Sequence, residues 1–79
     1  MSRIGVRLPD IESVKEFVRI MNRCPAEAEV RVGKYKVDAK SIMGLFSLDL
    51  DSTIVVEIHA DTNDVMETIA DLNQYRVDA

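Results

Sequence analysis

Four stretches of alternating apolar and polar residues, interleaved with three of helical period, limit this chain to very few folds. Ile4, Val6 and Leu8 alternate with Gly5 and Arg7, the period of a strand with one buried face, and Pro9 ends the run. Asp10 suits a helix N-cap, with Glu12 in the first turn. Ile11, Val14, Phe17, Val18 and Met21 then follow helical spacing, with Lys15, Glu16 and Arg19 turned outward, until Cys24-Pro25 stops the helix. Ala28, Val30 and Val32 form a second alternating run. Gly33-Lys34 is a turn, and Tyr35-Lys36-Val37 is a short third strand, which together predict a hairpin. A short helix starts at Ser41 and ends near Ser47 or Leu48. Residues 49 to 53 are loop. Ile54, Val56 and Ile58 alternate with Val55, Glu57 and His59 as a fourth strand. Thr62-Asn63-Asp64 offers cap candidates for a last helix striped by Val65, Ile69 and Leu72, with Met66 and Tyr75 nearby.

The order is βαββαβα. Strands with polar outer faces and helices that need burial predict an α+β open-faced sandwich, a four-stranded antiparallel sheet with three helices on one face. Val6, Phe17, Val30, Leu45, Val56, Ile58, Ile69 and Leu72 are the expected core. With 79 residues, one domain over residues 1–79 is expected, without linker, repeat or low-complexity segment.

The net charge of -4 argues against nucleic acid as a partner, since that role needs a basic surface. No apolar stretch approaches the roughly 20 residues of a membrane span. The first residues run straight into the alternating pattern, with no signal-peptide core. The one cysteine, Cys24, forms no internal disulfide, and the expected compartment is the cytoplasm.

Residues 37 to 50 concentrate the functional signal. Ser41 follows Asp38-Ala39-Lys40 and opens the run Ile42-Met43-Gly44-Leu45-Phe46. A serine there can cap the helix, because its hydroxyl accepts a bond from an orphan backbone amide. Ile42, Met43, Leu45 and Phe46 crowd little more than one turn. Such a helix is either buried on several sides or is a docking surface. Leu45 and Leu48 can face the sheet, which leaves Ile42, Met43 and Phe46 on another side as core or as interface.

The words Val37-Asp-Ala-Lys-Ser-Ile-Met-Gly44 and Leu45-Phe-Ser-Leu48 strongly resemble the regulatory-serine region of the HPr family, the phosphocarriers of the bacterial sugar phosphotransferase system. With Ser41 on the family's regulatory serine, the chain aligns over nearly its whole length, and the family has the same element order. The resemblance implies that Ser41 is phosphorylated and that Ile42, Met43 and Phe46 meet partner proteins. It also exposes a departure. The family's phosphate-carrying histidine lies in a Gly-(Leu/Ile)-His-x-Arg-Pro word. Here Asp10 stands at the histidine and Glu12 at the arginine. Asp49 and Thr53 fall where family members often have glycine, which predicts a reshaped loop before the fourth strand.

Phosphate transfer from a histidine needs a nucleophilic nitrogen, a nearby cation and free helix-start amides. Asp10 supplies no nitrogen, and Glu12 exchanges a cation for an anion. Two carboxylates satisfy the helix start and repel a phosphoryl group. Asp10 and Glu12 are therefore read as a degenerate phosphocarrier site, with Asp10 as a cap. An acyl phosphate on aspartate normally needs metal and a lysine.

His59, the only histidine, lies on the polar phase of another element and cannot substitute. No His or Cys pair has ligand spacing, and the scattered aspartates make no calcium loop, so neither metal nor cofactor is expected. Cys24 is a packing residue with no base to activate it. Lys40 reads as a solvated charge.

The leading expectation is a non-enzymatic, HPr-like regulatory protein. The resemblance implies an HPr kinase-like serine kinase and a transcriptional regulator of carbon catabolite repression as its partners. Two rivals stay open: a phosphocarrier whose chemistry moved to Asp10, and an HPr-fold interaction module without phosphorylation. A strand edge, or the patch at Ile42, Met43 and Phe46, offers a homodimer surface.

Overall fold

The structure, a computed structural model, describes residues 1–77. Residues 78 and 79, which the single-domain expectation took in, lie outside the described residues. The elements run β1 (Ser2–Val6), α1 (Ile11–Arg23), β2 (Ala28–Val32), β3 (Tyr35–Asp38), α2 (Ile42–Phe46), β4 (Ile54–Ile58) and α3 (Met66–Leu72). Single 3₁₀ turns at Thr62–Asp64 and Asn73–Tyr75 flank α3. The expected βαββαβα order holds.

All strand pairs are antiparallel, in the order β1-β4-β2-β3. The last strand in sequence thus lies between β1 and β2. Val56 is opposite Ile4 on one side and Val30 on the other. These three and their same-phase neighbours turn to the helices. Phe17, Ile20, Met21, Leu45 and Leu72 meet them from the helical layer, all buried in one apolar cluster. The opposite face of the sheet stays open.

Gly33 takes φ +58° at the first central position of the β2–β3 turn, where a side chain would strain the backbone. Gly44 has a different reason. A Cβ there would come within 3.2 Å of the Val37 Cβ, so the missing side chain lets α2 sit close on β3.

Several boundaries depart from the periodicity. β1 ends at Val6 although the alternation continues to Leu8. Its partner β4 begins opposite Val6, and beyond that point the Arg7 N–H turns to the Tyr75 carbonyl, 3.0 Å away. Leu8 is still buried. α2 stops at Phe46, because the Ser47 N–H bonds back to Gly44 and Leu45 as a C-cap. α3 begins only at Met66. Thr62-Asn63-Asp64 forms its own 3₁₀ turn instead of capping α3, whose N-cap is Val65 with no side-chain bond. Its buried stripe is Val65, Thr68 and Leu72, and Ile69, expected in the core, is only half-buried at its margin.

Val6 forms a bridge with Arg76, and the Val77 N–H donates to the Gly5 carbonyl at 2.9 Å. This segment covers part of the outer edge of β1. Of the two sheet edges, β3 is the one left without such a cover among the described residues.

Candidate functional site

Two helix starts carry the functional expectations. At the first, Asp10 is extended (φ -149°, ψ 174°), and its Oδ1 accepts from the Ser13 N–H at 2.8 Å. Ser13 answers by accepting from the Asp10 N–H at 3.2 Å, and its hydroxyl donates to the Asp10 carbonyl at 2.7 Å. This reciprocal capping box satisfies two orphan donors. Glu12 is exposed beside it, 3.9 Å from Lys15. Asp10, Glu12 and Glu16 share a shallow groove with Arg19 and Tyr75. Arg19 pairs with Glu16 at 3.3 Å. Burial, helped by the Glu16 and Asp10 carboxylates, pushes the Tyr75 phenol above its ordinary pKa. The groove is thus anionic, and its central carboxylate is occupied by backbone. Asp10→Ala should cost about 1 kcal/mol, the usual effect of a lost N-cap. A denaturation midpoint identical to that of the parent chain would contradict the cap.

At the second start, Ser41 caps α2. Its hydroxyl oxygen accepts from the Gly44 N–H at 3.1 Å, and its own N–H donates to the Asp38 carbonyl at 3.1 Å. The residue is half-buried, at the solvent margin. Lys40 is not the free charge expected. Its ammonium donates to the Cys24 carbonyl at 2.9 Å, neutralising the C-terminal end of α1, while the Lys40 carbonyl accepts from Asn22 at 3.3 Å. Asp38 is occupied too, accepting from the Lys40 N–H at 2.9 Å.

Met43 is 79% exposed and Phe46 46%. Ile42 departs from the expected patch: it is half-buried and packs against the core. It follows the cap directly, so its side chain leans back over the preceding turn, toward the layer beneath α2. The open patch is therefore Met43 and Phe46, with half-buried Ile42 at its root.

The remaining reactive residues lie elsewhere. Cys24 is buried at the C-cap of α1. His59 is exposed just past β4, and its Nε2 lies 2.8 Å from Glu29 Oε1. That bond, with Lys36 at 3.5 Å, holds the Glu29 carboxyl below the ordinary carboxylate range. Among the described residues no group of three or more His, Cys, Asp and Glu side chains is placed to hold a metal, and no helix is long and apolar enough to cross a membrane.

The alternation did not reveal Glu57. It occupies the open-face phase of β4, yet its side chain is only 4% exposed. Arg3 of β1 lies 3.0 Å away, Arg31 of β2 3.4 Å and Lys36 of β3 4.0 Å. Arg3 is directly opposite Glu57, while Arg31 and Lys36 reach it diagonally from the pair two residues along β2 and β3, a cluster readable only once the strand order and register are known.

This architecture, an open-faced α+β sandwich with two serine- or aspartate-capped helix starts, defines a class, and comparison assigns it. The family model "PTS HPr component phosphorylation site" matches residues 12–76, and the chain belongs to that PTS-HPr family. The matched span begins at Glu12, two residues after Asp10. Among solved structures, HPr-C-His from Thermoanaerobacter tengcongensis superposes with a TM-score of 0.77 at 22% identity, over 94% of this chain and 89% of that one. The phosphocarrier protein HPr from Bacillus anthracis str. Ames gives a TM-score of 0.69 at 26% identity, over 96% and 94%. No curated protein sequence matches the chain.

Proposed function

We propose that this chain is a regulatory member of the HPr family, controlled at Ser41 and without phosphocarrier activity at position 10. The contrast between the two helix starts carries this reading. The first presents a carboxylate already bonded to Ser13, in an anionic groove. The second presents a solvent-margin hydroxyl beside exposed Met43 and Phe46. A serine kinase would transfer the γ-phosphoryl group of ATP to the Ser41 oxygen. The new O–P bond replaces the hydroxyl proton, and ADP leaves. The phosphate can take over the Gly44 amide. With Lys40 turned to Cys24, most of its charge stays available to a partner, here a transcriptional regulator of carbon catabolite repression in the cytoplasm.

The family match keeps transfer through Asp10 as a second reading. One pair of assays separates the two. Incubation with HPr kinase and ATP should add one phosphate to the chain, located on Ser41 by mass spectrometry. Incubation with labelled phosphoenolpyruvate and the general phosphotransferase enzyme should leave it unlabelled. Base-labile label on Asp10 would establish the second reading. No phosphate in either assay would leave a plain interaction module.

A further inference from the structure

The open face of the sheet carries a groove of about 640 Å³ at its β1 side, away from both helix starts. Arg3, Gly5, Arg7, Thr53, Val55 and Arg76 form its wall and floor. Three of the chain's six arginines meet here, in a protein of net charge -4. Among the described residues no carboxylate lines the groove. The Arg3 guanidinium donates its Nε–H to Glu57, and its side chain is still 65% exposed. Arg7 is held by a neutral group, the Asp51 carbonyl. Arg76 is exposed and enters no ion pair among the described residues. Two of the three cations are thus steadied by neighbours, which lowers the entropy lost on binding an anion.

We propose that this groove docks an extended, acidic segment of a partner protein. Arg3 and Arg7 share one phase of the extended chain, four residues apart, a spacing of roughly 13 Å. Alternate carboxylates on an extended peptide repeat at about 7 Å, so every second one falls opposite an arginine. The low floor at Gly5 and Val55 accepts the small apolar residues between them. A long nucleic acid suits the site less, because its phosphates would also face the acidic remainder of the molecule. The proposal does not depend on Ser41.

The test is a fluorescence-anisotropy titration with a fluorescein-labelled decapeptide of alternating glutamate and valine, beside its glutamine analogue. Saturable binding of the acidic peptide is expected, weakened at least about tenfold in the analogue and by raised salt. The double variant Arg7→Gln/Arg76→Gln should weaken it about tenfold. Thr53→Glu, which keeps every arginine but adds an anion to the groove, should do the same. Met43→Ala should leave it unchanged. Melting curves would verify that each variant is folded. Absence of saturable binding, or affinity unchanged in both groove variants, overturns the proposal. So does a single-stranded DNA of equal charge that binds as tightly as the peptide, since the face would then be a general polyanion surface.

Discussion

Replacing Arg3 and Arg31 together by alanine should destabilise the protein by about 3 kcal/mol, far more than two surface arginines ordinarily contribute. The reason is the carboxylate they cover. Glu57 is nearly sealed between them, and without them only Lys36, 4.0 Å away, remains to compensate a buried charge. Breaking a buried ion pair by removing one side costs about 3–5 kcal/mol, and the lower end applies here because truncating the covering side chains also admits some water to Glu57. The midpoint of thermal unfolding should fall by more than about 10 °C. Each single variant should lose much less, since the second arginine still screens Glu57, so the two effects should be strongly non-additive. Adding Glu57→Val to the double variant should restore most of the loss, because a packed apolar group replaces the orphaned charge. A double variant within about 1 kcal/mol of the parent chain would show that water reaches Glu57 freely and that the arginines do not hold a buried charge.

Glu57 also marks the limit of what a local pattern of residues encodes. Periodicity is set by which face of an element is buried, so it found every strand and helix and most of the core. Val56 and Ile58 are buried because their phase faces the helices. It assigned Glu57 to the open face correctly, but burial there depends on cross-strand neighbours. Those follow from the order β1-β4-β2-β3, which no local pattern encodes. The Lys40 contact is absent from any local pattern for a related reason: its partner carbonyl lies 16 residues away, at the end of α1. The Asp10 cap was legible because its partner, Ser13, is three residues distant. The α3 stripe was legible only in part. Thr68 is buried and Ile69 only half-buried, so the inward stripe runs at i, i+3 and i+7 from Val65 where the apolar residues suggest i, i+4 and i+7.

The patch on α2 leads to the second large effect. After treatment with the kinase, Ser41→Ala should abolish phosphate-dependent binding to the regulator and Met43→Ala should weaken it about thirtyfold, for different reasons. Ser41→Ala removes the anion and one backbone cap; Met43→Ala removes the apolar anchor and leaves the anion. An anchor that is 79% exposed in the free protein has most of its surface still to bury, and a central contact of this kind is worth about 2 kcal/mol or more, roughly thirtyfold in affinity. Phe46→Ala should follow Met43→Ala, with a smaller loss because about half of the ring is already covered. Ile42→Ala should behave otherwise. Its side chain supports the helix from beneath, so the variant should lose stability, by about 1–2 kcal/mol, before it loses specific contacts. Calorimetric titration of regulator into phosphorylated and unphosphorylated chains, with melting curves for each variant, separates these outcomes. Phosphorylated Met43→Ala protein that binds as tightly as the parent would remove the patch from the interface. Equal binding of the phosphorylated and unphosphorylated parent chains would remove Ser41 as the switch.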